Sequence, residues 1–288
     1  PGNVILTSIE FDHADIYRDL DHVKSAFLRL MDIIPDAGSL VLCADYPAAR
    51  EIAAAARCQR VTYGGADDAH WTARNLEFRQ GRAFFEPYYR GRTDGLLEVA
   101  VIGRHNVKNA LAVYALGRTI GMERGKLLDG FRTFAGVKRR QEVRGERRGV
   151  LVIDDFAHHP TAVRETVEAI RAAYAGRKVW AVFEPRSNTS KRNIFEREFA
   201  AALALADRIL IAGMHQPEKI PDGERLSVES VVRRINRLCG DERARQVADA
   251  GEIANVIADD ARPGDVILVM SNGGFDNVHD KILRALAA

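Results

Sequence analysis

Two acids and two histidines stand together in residues 154–161, Asp-Asp-Phe-Ala-His-His-Pro-Thr. The segment follows the apolar run 149–153 and precedes residues 162–174, in which apolar side chains recur at helical spacing. It therefore lies between a predicted parallel strand and a helix, and ligands bind at this carboxyl edge in open parallel α/β sheets. The local pattern alone is equally consistent with a solvated capping role for Asp154 and Asp155.

Two further polar turns follow strands predicted in the same part of the chain. Residues 184–189, Glu-Pro-Arg-Ser-Asn-Thr, follow the strand 179–183, and residues 271–276, Ser-Asn-Gly-Gly-Phe-Asp, follow the strand 266–270. An arginine in the first turn, Arg186, can pair with a substrate carboxylate through two hydrogen bonds. A Gly-Gly turn into a helix can approach an anion closely. Each turn is common by itself, but the sheet topology would gather all three in one crevice.

His13 follows another predicted strand and has Glu10, Asp12 and Asp15 around it. Such carboxylates keep a histidine available as a ligand or a base. A hard cation such as Mg²⁺ prefers oxygen, so a lone histidine ligand is unusual. An ordinary surface histidine is the more common outcome of this pattern.

His105 and Asn109 are four residues apart at the start of a predicted helix and share one face. Imidazole and amide groups there could form hydrogen bonds with the edge of a nucleobase. Capping of the helix by Asn106 is the more ordinary explanation of this polar start.

Lys138, Arg139 and Arg140 lie in a predicted linker, residues 136–141. Three cations in a row usually form a solvated surface. At a hinge, an arginine could also reach a phosphate held by the other domain, so that the site is complete only when the domains close.

The composition limits the possible functions. The chain has 288 residues, 47% hydrophobic and 28% charged, which is ordinary for a soluble globular protein of about two domains. Its net charge of +2 does not by itself indicate nucleic acid or membrane binding. Cys43, Cys58 and Cys239 are far apart, form no disulfide framework or metal spacing, and fit a reducing cytoplasm. No apolar run reaches the roughly 18 residues of a transmembrane helix.

Alternating patterns predict an α/β fold with two domains, residues 1–136 and 137–288. In the first, a βαβαβ alternation up to residue 64 predicts a parallel sheet, and residues 71–102 are typical of antiparallel hairpin strands before two helices. The second is predicted to be doubly wound. Its predicted strands are 150–153, 179–183, 208–212, 246–248 and 266–270, and its predicted helices are 162–174, 193–205, 228–238, 252–260 and 276–287.

Two nucleotide-binding motifs are absent from the sequence. No G-x-x-x-x-G-K-[S/T] phosphate loop occurs, so a loop that grips ATP phosphates would lie outside this chain. No strand is followed by G-x-G-x-x-G, which disfavours a dinucleotide oxidoreductase. Because Pro1 is not an initiator methionine and the first strand has no preceding element to pair with, we expect the chain to begin inside a domain of a longer protein.

Four motifs, in order along nearly the whole chain, resemble the Mur ligase family of ATP-dependent amide-bond ligases of cell-wall synthesis. They are Ile9-Glu10-Phe11-Asp12-His13, Gly103-Arg104-His105-Asn106-x-x-Asn109-Ala110-Leu111-Ala112, Gly136-x-x-Arg139-Arg140 and Asp154-Asp155-Phe156-Ala157-His158-His159-Pro160-Thr161. The resemblance implies the C-terminal portion of a central ATP-binding domain in residues 1–136, followed by a Rossmann-like C-terminal domain that binds peptide and nucleotide. The family's phosphate loop, its Mg²⁺-binding Glu and its N-terminal UDP-sugar domain are missing, so we expect the chain alone to be inactive.

Within the family, the fourth motif is typical of enzymes that act on UDP-N-acetylmuramate. Residues 183–189 and 270–276 are similar to members that join L-Ala-γ-D-Glu-meso-diaminopimelate to this substrate through an acyl phosphate, in peptidoglycan recycling, with ATP and Mg²⁺. Relatives that add L-alanine usually differ at both stretches and are the alternative, as is a non-catalytic module that binds nucleotide or peptide. The implied partners are the two substrates, without nucleic acid or membrane, in the cytoplasm.

The resemblance also implies roles for individual residues. These are a Mg²⁺ ligand at His13, adenine contacts at His105 and Asn109, ATP-phosphate contacts at Arg140 and Arg139, a ribose or domain-orienting contact at Asp155, catalytic positions near the reacting carboxylate at His158 and His159, and contacts to the incoming peptide at Arg186, Ser187 and Asn188.

Overall fold

The computed structural model of the chain describes residues 1–287. The chain folds into two compact units, Pro1–Ala135 and a second that begins at Gly136. Each unit has one sheet, and both sheets mix parallel and antiparallel strands. Within residues 1–287, no helix combines the length and the apolar character that spanning a bilayer requires.

The first unit alternates strands and helices before a meander of short strands. Its elements are β1 Asn3–Leu6, α1 Leu20–Ile33, β2 Ser39–Cys43, α2 Pro47–Ala53, β3 Gln59–Tyr63, β4 Trp71–Arg79, β5 Arg82–Tyr89, β6 Arg92–Thr93, β7 Leu97–Val99, α3 Arg104–Thr119 and α4 Arg124–Thr133.

The first sheet has the order β1-β2-β3-β4-β5-β6, with β7 also paired to β5. The pairs from β1 to β4 are parallel and those of β5 are antiparallel, as the sequence predicted. Gln80 and Gly81 join β4 to β5 with φ values of 51° and 72°. Two residues with positive φ match the right-handed twist of the strands that they connect.

Alternate residues of β2 face different apolar cores, which explains why the whole strand is buried. Leu40 and Leu42 belong to a cluster with residues of α1 and α2. Val41 and Cys43 belong to a cluster with residues of α3 and α4. Helices therefore cover both faces of the parallel half of this sheet.

The second unit contains six strands and five α-helices among its described residues. They are β8 Glu142–Arg147, β9 Val150–Asp155, α5 Pro160–Ala173, β10 Val179–Phe183, α6 Glu196–Leu203, β11 Arg208–Ala212, α7 Val228–Cys239, β12 Ala244–Val247, α8 Ala250–Asp260, β13 Val266–Met270 and α9 Val278–Ala285.

The second sheet has the order β12-β11-β10-β13-β9-β8 and is parallel except for β8. The chain passes from β9 through β10 and β11 to β12, and then returns to β13 between β10 and β9. Because such crossovers are right-handed, α5, α6 and α7 lie on one face and α8 on the other. Phe183 packs on Phe199 of α6 with ring centroids 5.1 Å apart, whereas Trp180 and Val182 pack with residues of α8 and α9. The unit is doubly wound, as predicted.

One strand was not predicted, and several predicted elements have different bounds in the structure. The edge strand β8 was missed because its sequence, Glu-Val-Arg-Gly-Glu-Arg, has no apolar alternation and is mostly exposed. Helix α2 ends at Ala53, after which the N–H groups of Ala54, Ala55 and Ala56 donate to carbonyls three residues back in tighter turns. The helix expected over 193–205 begins with a 3-10 turn, Asn193–Phe195, before α6.

Candidate functional site

The three polar turns of the second unit lie side by side at the carboxyl edge of its sheet, because β9, β13 and β10 are neighbours. The backbone N–H of Ser271 donates to the Asp155 carbonyl at 3.1 Å. The Ser271 hydroxyl donates to Glu184 Oε2 at 2.6 Å. The loop after β13 leads to the face opposite that of α5 and α6, so the chain diverges here and leaves a crevice of the kind that binds ligands.

Asp155 ties the linker to the turn that follows β9. Its side chain is 4% exposed. Oδ2 accepts the N–H of Gln141 at 2.9 Å, and Oδ1 accepts the N–H of Ala157 at 2.8 Å and the hydroxyl of Thr166 at 3.4 Å. Burial raises the pKa of this carboxyl, although the two backbone bonds and the charge of Arg140 act in the opposite direction. The ribose contact and the domain-orienting role predicted for Asp155 stay predictions.

Asp154 points to the opposite face and meets three basic side chains. Its side chain is 2% exposed, with His279 Nε2 3.2 Å from Oδ1, and Arg139 Nε and Arg144 Nη1 3.5 Å and 3.7 Å from Oδ2. Burial acts to raise the pKa of Asp154, but the His279 contact and the neighbouring positive charges outweigh it and lower the pKa. His279 was not predicted as a site residue, and the only signal for it in the sequence is a histidine on the inner face of the last helix.

Arg139 and Arg140 are adjacent but differently engaged. Arg139 is half-buried, and its Nη2 donates to the carbonyls of Ser271 and Gly273 at 2.6 Å and 2.7 Å. Arg140 is exposed, and within residues 1–287 its guanidinium forms no ion pair. Both guanidinium groups lie over the ring of Phe156, at 5.0 Å and 5.1 Å from its centroid. Arg139 therefore fastens the linker to the sheet edge, whereas Arg140 presents its charge to solvent.

His158 and His159 lie in the turn between β9 and α5. His159 occupies the N-cap of α5, where its Nδ1 accepts the N–H of Thr161 at 3.4 Å. His158 Nδ1 lies 3.0 Å from the carbonyl oxygen of Phe156. Both imidazoles are half-buried at the same sheet edge as Asp155. Their predicted position near a reacting carboxylate stays a prediction.

The turn after β10 places Arg186 against the turn after β13. Arg186 Nη1 lies 3.3 Å from Glu184 Oε1. A Cβ at Gly273 would collide with the guanidinium of Arg186, so only glycine permits this approach. Arg186 therefore lies in the crevice between β10 and β13, where it could meet a ligand carboxylate.

Ser187 and Asn188 differ in how accessible their side chains are to a ligand. The Ser187 hydroxyl accepts the N–H of Ser190 at 2.9 Å and lies 2.9 Å from the Ser190 hydroxyl. These bonds hold the turn itself in shape. Asn188 is exposed. The predicted peptide contacts of both residues stay predictions.

In the first unit, His13 is exposed and has a positive φ of 53°. Its N–H donates to Asp12 Oδ1 at 2.7 Å, and its carbonyl accepts the N–H groups of Ile16 and Tyr17. Within residues 1–287 no group of three or more His, Cys, Asp or Glu side chains is arranged to hold a metal ion. The Mg²⁺ contact predicted for His13 stays a prediction, and we assign no reaction step to a metal.

His105 and Asn109 lie on α3, as predicted. Asn106 does not cap the helix through its side chain, since Gly103 occupies the N-cap and Asn106 Nδ2 donates instead to the carbonyl of Ile102 at 3.0 Å. Asn109 Nδ2 lies 3.5 Å from Asn106 Oδ1. The adenine contacts predicted for His105 and Asn109 stay predictions.

Comparison with known proteins agrees with this architecture. The model of the Mur ligase middle domain matches residues 1–117, and that of the Mur ligase, glutamate ligase domain matches residues 139–273. The chain belongs to the Mur ligase family, whose members are ATP-dependent ligases.

The individual relatives are named for two different ligase reactions. The chain is 34% identical to UDP-N-acetylmuramate–L-alanyl-γ-D-glutamyl-meso-2,6-diaminoheptandioate ligase of Escherichia coli (strain K12), covering 100% of this chain and 60% of that protein. It is 35% identical to UDP-N-acetylmuramate–L-alanine ligase of Pelotomaculum thermopropionicum, covering 98% and 60%. A solved murein peptide ligase of Psychrobacter arcticus is 29% identical, with a TM-score of 0.69 over 100% of this chain and 58% of that one. The chain thus spans about three fifths of the length of these relatives.

Proposed function

We propose that the complete gene product is a cytoplasmic, ATP-dependent ligase that joins L-Ala-γ-D-Glu-meso-diaminopimelate to UDP-N-acetylmuramate. The observation that carries this proposal is the crevice between β9, β13 and β10, which brings an exposed linker arginine and Arg186 to one sheet edge. Similarity to a relative named for this reaction, and to a solved murein peptide ligase, supports it. The three cysteines of the chain are unpaired, which agrees with a reducing compartment.

The proposed reaction has two steps. A carboxylate oxygen of UDP-N-acetylmuramate attacks the γ-phosphorus of ATP and displaces ADP, which gives an acyl phosphate. The α-amine of the tripeptide then attacks the acyl carbon, phosphate leaves, and the amine gives up a proton. Cationic groups stabilise the charge that develops on a transferring phosphoryl group, and Arg140 is our candidate for that role.

Arg186 is the candidate for the peptide side of the reaction. A guanidinium forms strong paired hydrogen bonds with a carboxylate, and the tripeptide offers several. His158 and His159 lie at the same edge of the sheet and are the candidates for contact with the reacting carboxylate. The adenine contacts that we propose, His105 and Asn109, come from the first unit.

The second candidate is ligation of L-alanine to UDP-N-acetylmuramate. The relative with 35% identity that is named for that reaction favours it. Both candidates share ATP, UDP-N-acetylmuramate and the two-step chemistry. They differ only in the acceptor amine, so the acceptor decides between them.

We expect the complete gene product to release ADP only when ATP, UDP-N-acetylmuramate and an acceptor are all present. Catalysed amide formation consumes one ATP for each acceptor joined, whereas a non-catalytic module would bind ligands without turnover. A coupled assay of ADP release, with each component omitted in turn, separates these cases. ADP release at the background rate in the complete mixture with either acceptor would contradict a ligase function.

A further inference from the structure

Lys191 is a buried cation without a counter-ion. It ends the polar turn after β10 and is only 2% exposed. Among residues 1–287 it forms no ion pair. Lysine is rarely this deeply buried unless its ammonium group is paired or used. The mechanism proposed above leaves Lys191 without a role.

The charges around Lys191 are mainly positive. Burial lowers the pKa of Lys191, and the charges of Lys219, Arg186 and Arg192 lower it further, with only Glu218 acting in the opposite direction. A lysine surrounded by cations cannot be explained as a structural ion pair. The surroundings instead attract an anion to this position.

Other carboxylates in this region already have partners. Glu184 accepts the hydroxyl of Ser271 and lies beside Arg186. Glu224 pairs with Arg192. Neither acid is therefore available to neutralise Lys191. Glu218 acts on Lys191 through its charge, but it is exposed and forms no ion pair with Lys191 among residues 1–287, so an anion from outside the chain is the candidate.

Backbone contacts fix Lys191 between two segments at the carboxyl edge of the sheet. The Lys191 carbonyl accepts the N–H of Leu226 at 2.8 Å, and the Pro185 carbonyl accepts the N–H of His215 at 3.3 Å. The turn after β10 is therefore attached to residues 213–227, which follow β11. The backbone of Lys191 is therefore fixed before any ligand arrives and its side chain is packed, which lowers the entropic cost of binding.

We propose that Lys191 is a specificity-determining residue that binds a carboxylate of the acceptor and thereby favours a peptide with several carboxylates over L-alanine. This inference rests on the proposed ligase function. The γ-linkage leaves the α-carboxylate of D-glutamate free, and the diaminopimelate residue adds two more. L-Alanine has a single carboxylate, which one cation, Arg186, would satisfy. A second fixed cation at Lys191 is useful only for an acceptor with at least two.

The test compares Lys191→Met with wild-type complete gene product in the ADP-release assay. Methionine has nearly the length of lysine without its charge. We expect the KM for the tripeptide to rise roughly 10- to 100-fold, as for loss of a charge-assisted hydrogen bond. Lys191→Arg should recover part of the affinity. The melting temperature of Lys191→Met should equal or exceed that of wild type, because replacing an unpaired buried charge with an apolar group does not destabilise the fold.

Lys178→Met is the matched control. Lys178 is exposed and precedes β10, at the opposite edge of the same sheet, so its removal should leave the tripeptide KM unchanged. An unchanged tripeptide KM in Lys191→Met, while wild type ligates the tripeptide, overturns the role of Lys191 and leaves the ligase function standing. If Lys191→Met lowers both the melting temperature and the turnover of every acceptor, Lys191 has a structural role, and the proposal is also overturned. Failure of wild type to ligate the tripeptide overturns the proposed function and this inference with it.

Discussion

Replacing Arg140 with alanine is expected to lower the kcat/KM for ATP of the complete gene product about 100-fold, as removal of one preorganised group that stabilises transition-state charge typically does. The guanidinium of Arg140 lies 5.1 Å from the ring centroid of Phe156 and is exposed. Phe156 is itself fixed, because its N–H donates to the Arg139 carbonyl at 2.8 Å. Arg140 is therefore held close to Phe156, while its guanidinium stays exposed and forms no ion pair among residues 1–287.

The neighbouring arginine provides the contrast to this prediction. Arg140→Ala should leave the melting temperature unchanged, whereas Arg139→Ala should lower it, since Arg139 binds the carbonyls of Ser271 and Gly273. Arg140→Lys should recover only part of the activity, because lysine retains the charge but not the paired donors. Steady-state kinetics with ATP as the varied substrate would contradict the phosphate role if kcat and KM were both unaltered in Arg140→Ala.

Replacing Asp155 with alanine is expected to cause the largest loss of stability, about 3 kcal/mol. The substitution removes the acceptors of two backbone N–H groups, those of Gln141 and Ala157, at a site that is 4% exposed. Buried donors left without partners cost about 1–3 kcal/mol each. Relief from burying the carboxylate offsets part of this cost, since burial raises the pKa of Asp155.

Chemical denaturation followed by circular dichroism measures this effect. Asp155→Asn is the control, because its side-chain oxygen can accept one of the two N–H groups and should preserve about half of the lost stability. An exposed acid on the same sheet edge, Asp276, serves as the second control. Its φ of 47° favours Asp or Asn, and its ion pair with Lys281 is exposed, so Asp276→Asn should unfold close to the wild-type midpoint. An Asp155→Ala midpoint equal to that of wild type would show that the linker does not depend on this carboxylate.

Much of the fold follows from local patterns. Strands β10, β11 and β13 agree with the prediction residue for residue, because each is a short run dominated by apolar side chains and buried in a parallel sheet. Strand β8 was missed because its residues are polar and it is held by pairing with β9 rather than by a buried face. An edge strand of this kind carries no periodic signal.

The gathering of the three polar turns was also predictable, because parallel strands place their carboxyl ends at one edge. The hydrogen-bond and ion-pair partners of individual side chains could not be predicted in this way. Asp154 and Asp155 alternate across the sheet, but the contacts of Asp154 with His279 and of Asp155 with Gln141 join distant parts of the chain. The burial of Lys191 depends on packing between distant segments, which no local pattern records.

The measurement that tests the central claim most directly is the mass of the UDP-linked product. The complete gene product would be incubated with ATP, UDP-N-acetylmuramate and equal concentrations of the tripeptide and L-alanine. We expect a product with the mass of UDP-N-acetylmuramoyl tripeptide, in excess over any alanine adduct. A product with the mass of UDP-N-acetylmuramoyl-L-alanine alone would contradict it and establish the alternative acceptor.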